Sequence, residues 1–129
     1  MHTLKNLFLL LVLLPLVCLS QTIEKPQLIF KVNTEALVLD NSNIKHAYLE
    51  KERDGSHRLN LEISARAAER LNSLCAANIR KTIYLYFGKD KLIAKSIIQS
   101  TLGNKLFIPH FPEKEAKELI NSLQNNHSR

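Results

Sequence analysis

One stretch, Leu59 to Ile98, constrains the chain more than any other. Leu59, Leu61 and Ile63 alternate with Asn60 and Glu62, the period-2 pattern of a strand with one buried face. Ser64 follows where a helix N-cap would stand, its hydroxyl able to accept a bond from an otherwise unpaired backbone N–H. Ala67, Ala68, Leu71, Leu74, Cys75 and Ile79 then recur at helical spacing, which predicts a helix over 65–78. Two strands, 83–87 and 92–98, are set about a Gly88-Lys89-Asp90 turn. The remaining residues have to pack on this strand–helix–hairpin unit.

At 129 residues there is room for one domain. Residues 1–20 carry Lys5, an apolar run from Leu7 to Val17 and no acid, the plan of a secretory signal. The run is shorter than the roughly 20 residues that span a bilayer. Cys18 and Ser20 are small enough for cleavage after Ser20. The expected location is therefore outside the cytoplasm, in the periplasm. The alternatives are an uncleaved membrane anchor or a lipid on Cys18, which Leu16-Val17-Cys18 matches only loosely. Membrane contact is expected through this segment alone. After cleavage Cys75 is the one cysteine left, which leaves no partner for an internal disulfide. Its place on the apolar stripe reads as a small buried hydrophobe. The formal charge of +6 comes from bases scattered along the chain. That balance suits anionic lipid headgroups, an acidic partner or simply a solvated surface, and the absence of a basic stripe interleaved with aromatics argues against nucleic acid.

Residues 21–27 read as a linker, 28–124 as the domain and 125–129 as a polar tail expected to fray. Leu28–Val32 is a strand candidate, and Ala36–Leu39 is an extended or helical piece before the turn cluster Asp40-Asn41-Ser42-Asn43. Asp54-Gly55 tolerates positive φ and pairs a strand at 45–52 with one at 58–63 as a hairpin. After a short strand at 105–109, Pro112 fits the first turn of a second helix. Ala116, Leu119, Ile120 and Leu123 form its apolar stripe. The expected fold is α+β: one antiparallel sheet of five or six strands, two helices on one face, order β-β-β-α-β-β-β-α.

This order resembles the head of the first periplasmic domain of SecD, the accessory family of bacterial protein export. The matching pieces are Ala67-Ala68-Glu69-Arg70-Leu71, then 77–85 around Asn78-Ile79-Arg80-Lys81, then the hairpin at 88–95. The last is Phe111-Pro112-Glu113-Lys114-Glu115-Ala116 with the helix to Leu123. Arg80 stands where the family has Gly, Lys95 and Ser96 where it has Ala-Pro, and Pro109 where it has Gly. The resemblance implies an exported head-like module that touches translocating polypeptides or an envelope protein complex, in contact with the Sec machinery. Without the family's membrane bundle, no proton-driven motor activity carries over. The alternative is a periplasmic interaction or inhibitory protein with one dedicated partner that shares only the fold.

No enzyme constellation emerges. Three glycines leave no phosphate loop. His46 and His57 flank the first hairpin and would approach each other across it, but with His110 they make a poor metal set, so no metal or cofactor is expected. Ser64 and Ser73 have no base placed for them. Glu113, Glu115 and Glu118 read as a solvated helix face. A binding module fits better. Tyr84, Phe87, Lys91 and Lys95 would present apolar and basic groups together, and a free sheet edge would accept a peptide as an added strand.

Overall fold

The structure, a computed structural model, describes residues 25–127. The expected signal segment and most of the linker therefore lie outside the described residues. Among the described residues, seven strands and two helices follow in the order β1 (Leu28–Val32), β2 (Glu35–Leu39), β3 (Ile44–Lys51), β4 (His57–Ile63), α1 (Ala65–Ala77), β5 (Thr82–Phe87), β6 (Lys91–Ile97), β7 (Lys105–Ile108) and α2 (Glu113–His127). No helix among the described residues is long and apolar enough to cross a membrane.

The α+β class stands, but the strands divide between two antiparallel sheets rather than one. Their orders are β2-β1-β5-β6 and β3-β4-β7. The reason is that β4 and β5 are both interior strands. Each is already paired on both sides, β4 by β3 and β7, β5 by β1 and β6, so α1 carries the chain from one sheet to the other. Alternation tells a strand which face to bury, not which strand lies beside it. The helices divide too: α1 packs against β2 and α2 against β3. One buried cluster nevertheless joins Phe30, Leu37, Leu59, Leu71, Leu85, Leu106 and Leu119 from both sheets and both helices.

Local chemistry sets the joints. Ser64 Oγ accepts the Ala67 N–H at 3.2 Å and caps α1, whose buried face is Ala67, Ala68, Leu71, Leu74 and Cys75. Asn78 closes the other end by donating Nδ2–H to the Leu74 carbonyl at 2.7 Å. Ile79 therefore falls outside the helix and is 41% exposed, not on its stripe. In the β3–β4 turn, Asp54 Oδ1 accepts from the Ser56 N–H and Oγ–H, and Gly55 takes φ +90°. The ambiguous piece before Asp40 is the strand β2, and Asn33 makes the left-handed turn into it. Helix α2 continues past Leu123 to His127, beyond the point where the polar tail was expected to start. The Pro112 carbonyl accepts its first backbone bond, from Ala116 N–H at 3.0 Å.

Arg80 has φ +73°. This is the position where the SecD resemblance has glycine, and the left-handed turn explains why glycine belongs there. An L-residue in that conformation costs about 1–2 kcal/mol. Arg80 is exposed, so its side chain offsets little of that.

Leu71 is fully buried, and Leu71→Ala should lower unfolding stability by about 2–5 kcal/mol in urea titrations. Arg80→Gly should raise it by about 0.5–1 kcal/mol, relief of strain exceeding the entropy that glycine adds to the unfolded chain.

Candidate functional site: a groove between two free strand edges

Two strand edges remain unpaired at one side of the molecule, those of β6 and β7. Between them the sheets part into a groove of about 630 Å³. Its floor is the shared core: Phe30, Leu85, Leu106, Ile108 and Cys75. Lys95, Ser96, Lys105 and Phe107 stand at its rim.

The ladders decide which main-chain groups the edges offer. Ile98 N–H bonds the Lys81 carbonyl at 2.9 Å, in register with the Thr82↔Ile97 pair. Hydrogen-bonded pairs alternate with non-bonded ones in an antiparallel ladder. The N–H and C=O of Lys95 and Ile97 therefore point away from β5. Ile63 N–H likewise bonds the Asn104 carbonyl at 2.8 Å, in register with Glu62↔Lys105. By the same parity Lys105 and Phe107 turn theirs away from β4. The groove thus offers two alternating donor–acceptor rows over an apolar floor, the arrangement an extended chain satisfies.

The four residues expected to act together separate onto two faces. Tyr84 and Lys95 are directly opposite each other on β5 and β6, on the face away from the core. Phe87 and Lys91 are also opposite each other, but on the inner face, where Phe87 packs against the core. Only Lys95 of the four lines the groove. Lys91 is engaged elsewhere: its Nζ donates to Glu115 Oε1 at 2.6 Å, tying the start of β6 to α2. Glu115 is correspondingly buried and not on a solvated face. The hydrogen bond from Lys91 holds its carboxyl below the usual carboxylate range. The groove residue that the sequence reading passed over is Phe107, 58% exposed, with the Arg58 guanidinium 5.4 Å from its ring centroid. The signal was present: Leu106 and Ile108 inward require Phe107 outward.

His46 and His57 do not meet. His46 faces Glu62 at one end of the β3–β4 hairpin and His57 faces Lys51 at the other. Their Nε2 atoms lie 3.9 Å from Glu62 and Glu113 respectively. Among the described residues no three His, Cys, Asp or Glu side chains gather as metal ligands would. Cys75 is free and buried, and burial pushes its thiol pKa up.

No protein-family model matches the chain, and no curated protein matches it. Solved structures that share its fold include two of SecDF. A structure of SecDF, a membrane component that enhances protein export, matches with a TM-score of 0.56 and 17% identity, covering 68% of this chain and 40% of that one. SecDF in its Super-membrane-facing form matches with a TM-score of 0.55 and 17% identity, covering 68% of this chain and 12% of that one. The chain thus spans less than half of either SecDF chain, and at this identity the likeness shows a SecD-like fold.

Because the folded-state pKa of Glu115 is lowered, its contribution to stability is present above its ordinary value of 4.5 and is lost as pH falls through the folded value. Glu115→Gln should lower stability at neutral pH by about 1 kcal/mol or less, since half of Lys91 remains in water. Thermal melts across pH 7 to 3 should show the two proteins converging at the acid end.

Proposed function

We propose that this chain is an exported SecD-head-like binding module that holds extended polypeptide segments in the groove between β6 and β7, alongside the protein-export machinery. The observation that carries the reading is the pairing of an apolar floor with two free strand edges. Main-chain hydrogen bonds to an edge are indifferent to sequence, and the floor takes every second side chain of whatever segment is bound. The SecD-like fold supports the same reading, since the matching SecDF structure is of a component that enhances protein export. The proposal gives the module no catalytic step and no proton-driven step. Its work is to bind.

The rim fits a ligand that comes and goes. Lys95 and Lys105 place charge at the edges, which discourages permanent pairing with another copy's edge while leaving the main-chain groups accessible. The groove is short, because β7 spans only Lys105–Ile108, so each segment held there is brief and its affinity modest.

Proline placed at an outward-facing N–H tests the reading without breaking a ladder. Ile97→Pro should weaken binding of a reduced, carboxymethylated polypeptide about fivefold, the worth of one main-chain hydrogen bond, with little change in melting temperature. Fluorescence anisotropy of the labelled polypeptide measures it. Unchanged affinity in Ile97→Pro and in Phe107→Pro would remove the groove from the function. One tightly bound folded protein in place of unfolded chains would favour the dedicated-partner alternative.

A further inference from the structure

The outer face of the four-stranded sheet carries a second surface. Alternation on β5 turns Leu85 to the core and Tyr84 and Tyr86 outward. The register then places their neighbours on the same face. Lys31 and Lys95 flank Tyr84, Ile29 and Leu92 flank Tyr86, Val38 lies beyond Ile29, and Ile97 lies beside Thr82. Four large apolar residues are exposed here: Val38 (38%), Tyr84 (37%), Leu92 (49%) and Ile97 (59%). The face is also one-signed. Lys31 Nζ rests 5.0 Å from the Tyr86 ring centroid, and neither Lys31 nor Lys95 has an ion pair among the described residues. No carboxylate occupies an outward strand position on this face; Glu35 and Asp90 stand only at its borders. Exposed Lys81 precedes β5, and exposed Lys89 sits in the turn after it.

We propose that this face docks on the anionic surface of a lipid bilayer. Its charge complements phosphate-bearing headgroups, and each lysine near such a surface adds to the attraction. The long stems of Lys31 and Lys95 let their ammonium groups reach phosphates while the aliphatic side chains enter the acyl boundary. Tyrosine, with an apolar ring and a polar tip, belongs at that depth. The apolar groups project separately from a ladder of strands. A bilayer receives such groups anywhere along its plane, whereas a protein partner gains most of its affinity from side chains seated in pockets. The surface adjoins the groove and shares Lys95 and Ile97 with it, but docking uses the outward side chains of β6, and strand addition uses its main-chain edge. Failure of either reading leaves the other standing.

The chain contains no tryptophan, so one introduced residue reports on one face. Leu92→Trp probes the proposed surface; Tyr48→Trp, on the exposed side of β3 in the other sheet, is the control. Each full-length variant is mixed with vesicles of equal parts phosphatidylglycerol and phosphatidylcholine. Emission from Leu92→Trp should shift to the blue and be quenched by brominated acyl chains, while Tyr48→Trp should not respond. Pure phosphatidylcholine or added salt should abolish the effect. Adding Lys31→Glu and Lys95→Glu to the Leu92→Trp variant should weaken partitioning by about 30-fold or more, from the loss of two lysine–headgroup attractions. Vesicle binding without quenching at Leu92→Trp would mean attachment through residues 1–20 alone, and overturns the proposal. So does equal quenching of both probes, partitioning that survives charge reversal, or a spectral shift at Leu92→Trp with an acidic protein but not with vesicles.

Discussion

The structure depends on α1 joining the interiors of two sheets. It leaves β4, the central strand of one sheet, and delivers the chain to β5, an inner strand of the other. A helix in that position has to be apolar toward both, and Leu71, Leu74 and Cys75 meet the cluster that holds Leu59 and Leu61 from one sheet and Phe30 and Leu85 from the other. Neither sheet is large enough to bury its own face alone. Placing both against one helix and one cluster makes a single core from three- and four-stranded pieces.

The groove is a by-product of that solution. Two separate sheets have four edges, and two of them, β6 and β7, border the same opening in the core. Free edges are a hazard in most proteins. Here the bulge between Leu85 and Tyr86 and the lysines along β6 and β7 keep the edges from being smooth templates, while the ladder still turns the polar groups of Lys95, Ile97, Lys105 and Phe107 outward. The Lys91–Glu115 pair holds the far end of β6 to α2 and so connects the edge strand to the helix that packs on the other sheet.

Much of this was legible locally. The Ser64 cap, the Asp54-Gly55 turn, the hairpin about Gly88 and the stripe of α2 are each set by residues within a few positions of one another. What escaped involved partners distant in sequence. Phe87 and Tyr84 are the exception: three positions apart in one strand, they lie on opposite faces, as alternation alone requires. Lys91 looks like a free base beside a turn until Glu115, twenty-four residues on, is brought to 2.6 Å. His46 and His57 are near in sequence and sit at opposite ends of the same hairpin. The departure Arg80 could be read in the sequence as a missing glycine, but only the backbone shows that the position is left-handed.

By itself, the sequence determined the α+β class, the existence and type of most elements, and which face of each is apolar, because period, caps and turns act over a few residues. The tertiary structure alone decided that there are two sheets, that β1 lies beside β5 and β7 beside β4, and that the edges of β6 and β7 open onto one groove. Strand pairing is chosen by long-range competition for a shared core. Every strand with one apolar face qualifies as a neighbour of every other until packing around α1 selects among them.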